Sequence, residues 1–218
     1  TLEKINKIKD PIKRRKLKED LVEADEAADR KEAQDDFLTF VKQMWPQFIE
    51  GEHHKRISDK FNKLASGEIT RLIINMPPRH TKSEFSSYYL PAWMIGKNPA
   101  LKIIQATHTA ELAISFGRNT RLQEDSKAAG RWNTSEQGEY FAVGVKGAVT
   151  GRGADLLIID DPHSEQDGAS NKTTAFDTAY EWYTSGPRQR LQPGGRIVVV
   201  MTRWSTKDLT ARLVNAQA

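Results

Sequence analysis

The chain contains no cysteine. That absence excludes a disulfide framework and any thiolate zinc site, and it suits a reducing compartment. No apolar run reaches the roughly 18 residues that a membrane span needs, and no secretory signal precedes the charged start, so a cytosolic protein is expected. A large net charge is lacking too: 33 Lys and Arg against 29 Asp and Glu leave +4 over 218 residues. So mild an excess fits a polyanionic partner and fits equally a surface of mixed charge. The five histidines, at 53, 54, 80, 108 and 163, are too scattered to spell a metal motif. His53 and His54, being adjacent, are expected on different helix faces as packing or surface residues. No serine or cysteine nucleophile motif occurs. The first residue is Thr1 and Ala218 closely follows a helix start, so the chain is expected to be a portion of a longer protein.

What remains is enough for one sizeable core with an appendage. Residues 1–36 segregate charge, with "KIKDPIKRRKLK" basic and "EDLVEADEAADRKEAQDD" acidic, and they carry too few large apolar side chains for a core. They read as exposed helix or a mobile arm, and Lys13, Arg14, Arg15 and Lys16 could touch DNA or simply be solvated. Phe37, Phe40, Val41, Met44 and Trp45, then Ile57, Phe61 and Leu64, fall at helical spacing. This divides the chain into a charged helical extension, 1–52, and a core, 53–218. From residue 71 short apolar runs alternate with helical segments. "RLIINM", "LKIIQAT", "EYFAVGV", "DLLIID" and "RIVVVM" predict buried strands. Helices are predicted over 83–96, 109–122 and 172–185, and Ser205 with Asp208 resembles a capping box for a last one. Alternating strands and helices predict an α/β fold with a mainly parallel central sheet flanked by helices.

In such sheets ligands bind beyond the carboxyl ends of the strands, and three of these ends carry matching chemistry. After "RLIINM" come Pro78, Arg79, His80, Thr81, Lys82 and Ser83, then a helix. Lys82 would reach the β and γ phosphates of a nucleotide, and the Ser83 hydroxyl would hold Mg²⁺. Glycine is missing where a phosphate loop wants it, at the positions of Met76 and Thr81, and a β-branched threonine resists positive φ. Taken alone, the segment fits a phosphate cradle or an ordinary turn. "LLIIDDPH" delivers Asp160 and Asp161 together. Asp160 would bind Mg²⁺ through water, and Asp161 would orient or deprotonate an attacking water, with Glu165 in reserve. The plain alternative is a turn or cap. "RIVVVMTRW" places Thr202 past another buried strand, where its hydroxyl could sense the γ phosphate. Each element is ambiguous alone, but phosphate loop, acidic pair and polar sensor occur in the order expected of a nucleotide-hydrolysing core. Arg79 and Arg152, the latter on an exposed turn in "TGRGAD", are candidates to press on phosphate, and Arg188 and Arg190 for subunit or DNA contact.

The segments "INMPPRHTKSE", "TGRGADLLIIDDPH" and "WYTSGPRQRLQPGGRIVVVMTRW" together resemble the ATPase domain of large terminase subunits, the DNA-packaging motors of tailed bacteriophages. The resemblance covers residues 53–213. It implies a RecA-like P-loop NTPase fold of the additional-strand type, with ATP and Mg²⁺ as cofactors. It further implies a homo-oligomeric ring of five subunits that drives double-stranded viral DNA through a portal protein into a procapsid. That ring would work with a small terminase subunit in the cytoplasm of the infected bacterial host. Carried over by position, Lys82 and Ser83 match the Walker A pair, Asp160 and Asp161 the Walker B and catalytic acids, and Thr202 the coupling motif. Arg152 matches an arginine reaching a neighbouring subunit's nucleotide, and Arg79 the loop arginine. Thr81 departs from the family's glycine, which bears on nucleotide affinity. "RLQEDSKAAGRW" is shorter than the connection the family has there. The family's C-terminal nuclease domain has no counterpart in the chain, and no nuclease activity is assigned to it. Two other readings are a helicase-like translocase, which normally needs a second motor domain, and a degenerate P-loop domain that binds DNA or scaffolds an assembly.

Overall fold

An unbroken aliphatic run has no polar side to give to water, so it is stable only where both sheet faces are covered. Five such runs form parallel strands in the computed structural model, which describes residues 5–8, 10–109, 130–170 and 173–216. The chain divides into two units, Thr1–Ser58 and Asp59–Ala218, at a point inside one helix.

In the first unit the charged segment is a 25-residue helix, α1 (Pro11–Asp35), capped by the Asp10 carboxylate and opened by Pro11. Only Ala33 of this helix is buried. Next come α2 (Phe37–Met44) and the start of α3 (Glu52–Ser66). Phe37 and Val41 are buried, but Met44 of the same predicted stripe is largely exposed. His53 and His54 do not diverge as expected: their ring centroids lie 3.8 Å apart. The cause is local. The Gly51 N–H donates to His54 Nδ1 at 2.8 Å, and this cap turns the buried ring back across the first helical turn, where backbone N–H groups lack helical partners.

The second unit is an α/β layer structure. Its strands are β1 (Arg71–Asn75), β2 (Lys102–Thr107), β3 (Arg131–Asn133), β4 (Glu139–Gly144), β5 (Ala154–Asp160) and β6 (Leu191–Met201), in the order β1-β6-β5-β2-β4-β3. Only β3 is antiparallel, and it is absent from the sequence-based expectation because three residues, with Trp132 alone buried, carry no alternation to detect. One face, with Ile104, Ala106, Leu157, Ile159, Val199 and Met201, packs under α6 (Thr173–Ser185) and α7 (Leu209–Asn215) through Tyr183 and Leu209. Alternation sends Ile103, Gln105, Ile158 and Asp160 to the other face.

A helical segment covers that face, but not as one α-helix over 83–96. Glu84–Tyr89 is a π-helix, followed by α4 (Leu90–Lys97). Pro91 has no N–H to donate, so the i→i−4 ladder breaks there, and the Leu90 N–H bonds instead to the Phe85 carbonyl. The expected capping box at 205–208 is also corrected. Asp208 is itself the N-cap of α7, accepting from the Ala211 N–H at 3.0 Å, so the helix starts later than Ser205 implied. A true capping box, Ser164 with Asp167, opens the short α5 (Glu165–Ala169). The helix expected at 109–122, and most of "RLQEDSKAAGRW", lie outside the described residues. No described helix is long and apolar enough to cross a membrane.

Candidate functional site

Parallel strands all end at one rim, so β1, β5 and β6 deliver Met76, Asp161 and Thr202 side by side without help from the loops. Lys82 and Ser83 are the first helical residues after the β1 loop. Their N–H groups and the helix dipole therefore face that rim.

The loop adopts a glycine-type backbone without glycine. Arg79 has φ 63° and Thr81 φ 56°, while His80 between them keeps the ordinary hand. Such alternation turns successive N–H groups toward one side, the geometry of an anion-binding nest. The expectation that threonine would refuse this conformation is thus corrected. It adopts it under local constraint, with its Oγ1 donating to the His80 carbonyl at 2.7 Å and His80 Nδ1 lying 2.9 Å from the Pro78 carbonyl. A β-branched residue there stores on the order of 1 to 3 kcal/mol. Thr81→Gly is therefore expected to stabilise the fold by about 1 kcal/mol net of glycine's larger unfolded-state entropy. A urea midpoint equal to or below the wild type would contradict that strain.

Asp160 is 1% exposed. Ser83 Oγ donates to its Oδ1 at 3.1 Å, and Ser87 Oγ to its Oδ2 at 2.7 Å. Burial pushes its carboxyl up to about 6, against the pull of the Ser87 hydrogen bond, and the neighbouring Asp161 charge adds to the rise. Asp161, with φ 42°, turns the other way. Its Oδ2 is 2.8 Å from Lys82 Nζ, and its Oδ1 accepts from the Thr202 N–H at 3.0 Å. Thr202 Oγ1 donates to the Met76 carbonyl at 3.3 Å, which closes the circuit among the three strand ends.

Of these groups Lys82, Asp161 and Thr202 border a cleft of about 540 Å³, whose walls also include His163 and Glu165. This size suits a cofactor-sized ligand. An adjoining recess of about 330 Å³ lies between Met76–Pro78 and Thr202–Arg203. Among the described residues no group of three or more His, Asp or Glu is arranged to hold a metal alone. The Ser83–Asp160 pair nevertheless fits magnesium. The carboxylate accepts the hydroxyl's hydrogen bond, which leaves the serine oxygen lone pairs available, and Mg²⁺ usually completes its shell with phosphate and water.

The other predicted residues are dispersed. Arg79 is exposed on the loop, and Glu165 opens α5 at the cleft wall. Arg152 is not the exposed arginine expected. The turn at Gly151, with φ 76°, is exposed, but the Arg152 side chain folds back to pair with Glu139, and its guanidinium sits 3.8 Å over the Phe141 ring. A carboxylate two strands away in the sheet cannot be read from "TGRGAD". Arg188 is exposed and Arg190 half-buried on the 3-10 turn before β6.

Two residues carried no assigned role in the sequence. Ser87 is one. The other is His163, set aside with the scattered histidines; it is buried, with its Nε2 accepting the Leu209 N–H at 3.1 Å, which fastens the start of α7 to the cleft. Burial holds this imidazole below its ordinary range, consistent with a neutral acceptor nitrogen. Its place two residues beyond the acidic pair was the available signal. No protein-family model matches the chain, and a search of curated proteins returns no match.

Proposed function

We propose that the second unit is a RecA-like P-loop ATPase core of the additional-strand type, and that the chain is the motor domain of a terminase large subunit driving double-stranded viral DNA into a procapsid. The carrying observation is the meeting of Lys82, Asp161 and Thr202 at one cleft, with the bonded pair Ser83 and Asp160 next to them in sequence at the same sheet rim. The strand order supports it. One strand, β6, intervenes between the strand bearing the loop and the strand bearing the acids, which is the arrangement the name of the fold describes.

In this reading Lys82 and the loop N–H groups bind the triphosphate, and Ser83 with Asp160 holds Mg²⁺. Bound magnesium neutralises charge on the β and γ phosphates. Asp161 orients the attacking water and accepts its proton, with Glu165 the reserve on the same wall. Thr202, bonded to both the loop and Asp161, links phosphate occupancy to β6. Arg79 is near enough in sequence to act in cis. Arg152 acts in trans in a five-subunit ring after leaving Glu139. Portal protein, small terminase subunit and a host-cytoplasm location complete the proposal. DNA contact is chiefly with phosphates and therefore salt-sensitive.

The degenerate-module reading draws on the missing glycines, and a helicase-like translocase remains the third. A sensitive phosphate-release assay with Lys82→Ala as control decides between hydrolysis and mere binding; release indistinguishable from that control rejects the ATPase. For Arg152→Ala, ATP binding by single chains is expected to be unchanged, and the increase in hydrolysis on assembly is expected to vanish. Assembled rings of this variant turning over at the wild-type rate would remove Arg152 from the mechanism.

A further inference from the structure

Ser86 and Ser87 are adjacent, both essentially fully buried, and bonded in different directions. Ser86 Oγ donates to the Lys82 carbonyl of its own helix at 2.7 Å. Ser87 Oγ reaches across to β5 and the Asp160 carboxylate, also at 2.7 Å. A buried hydroxyl with no task is inferior to alanine in a helix, because alanine has the better propensity and nothing polar to desolvate. The Ser86 bond merely satisfies Ser86. The Ser87 bond goes to a charge-bearing acceptor on another element, which makes it the stronger and more directional of the two.

The two Asp160 oxygens are divided between two serines of one helical segment, Ser83 on Oδ1 and Ser87 on Oδ2. A carboxylate can rotate, and with a single donor it would have no fixed plane. The π-helical stretch from Glu84 carries Ser87 to the second oxygen, and single π turns are frequent at functional sites.

We propose that Ser87 is a positioning residue for the divalent-cation site: by holding Oδ2 it fixes the plane of Asp160 so that Oδ1 stays on the Ser83 hydroxyl. This rests on the ATPase reading and adds to it the group that orients the magnesium acid. Outer-sphere partners of this kind are typically worth 10- to 100-fold in metal affinity.

Calorimetric titration with the non-hydrolysable analogue AMP-PNP, with and without Mg²⁺, tests the role on the intact chain. In wild type Mg²⁺ is expected to strengthen binding. Ser87→Ala is expected to lose about 10- to 100-fold of that strengthening while keeping the Mg²⁺-free affinity, which also reports that the variant is folded. Ser86→Ala, an equally buried deletion, is expected to keep both. Ser87→Cys, of similar size with a weak donor, covers the case in which the alanine variant does not fold, and is expected to lose part of the strengthening. Electron paramagnetic resonance of Mn²⁺ with AMP-PNP should reproduce the same ranking. Wild-type strengthening in Ser87→Ala or Ser87→Cys, or an equal loss in Ser86→Ala, overturns the role and leaves the ATPase reading intact. No Mg²⁺-dependent strengthening in the wild type itself overturns both.

Discussion

Lys82→Ala is expected to lower ATP hydrolysis by a factor of about 10² to 10³, the usual consequence of deleting one preorganised group that meets developing charge. Lys82 is 8% exposed, so its ammonium acts where water screens little. No other described lysine lines the cleft. The fold should tolerate the change. Asp161 loses its 2.8 Å partner but keeps the Thr202 N–H, and at 28% side-chain exposure it can be hydrated. The unfolding free energy should therefore change by less than about 1 kcal/mol, which leaves the midpoint nearly unmoved. Loss of phosphate release together with a preserved midpoint is the expected pair of results. A variant that hydrolyses ATP at the wild-type rate would end the proposed mechanism.

Asp160→Asn is expected to abolish magnesium-dependent turnover and at the same time to stabilise the protein near neutral pH. The folded state raises this carboxyl from 3.8 to about 6, so between those values it binds a proton that the unfolded chain does not. Stability therefore falls as pH rises through that window, and above it the buried charge costs on the order of 3 kcal/mol. Asparagine removes the charge, and a serine hydroxyl can turn to accept from its amide. Imperfect repacking reduces the gain, and about 1 to 2 kcal/mol at pH 7 is expected. Urea unfolding between pH 4 and 7 checks the sign: the wild type should weaken across the window, and the difference from Asp160→Asn should widen with rising pH. Parallel curves would show that Asp160 titrates normally. The trade of stability for activity is the usual signature of a group kept for function.

The strands were legible because "DLLIID" and "RIVVVM" can be buried only as central strands, and the rim follows from their being parallel. That fixed the neighbourhood of Lys82, the acids and Thr202 before any side chain was considered. The rest depended on contacts remote in sequence. Arg152 is held by Glu139 and Phe141, whose register beside it is set by strand pairing rather than by its own turn. Ser87 reached Asp160 through a segment that departs from α geometry over Glu84–Tyr89, just before Pro91, and that periodicity treats as a continuous helix. Thr81 was misjudged for another reason. Propensity describes the relaxed residue, and here the surrounding loop prevails over it.

The Lys82–Asp161 pair implies that the resting cleft supplies its own counter-ion. A carboxylate stands in for the incoming anion, so the ammonium is never left bare in a half-dry crevice. On the proposed ATPase reading, ATP would have to displace an internal tenant before it could settle, which would lower its affinity. The same displacement would release Asp161 to meet a water molecule only once a triphosphate had arrived.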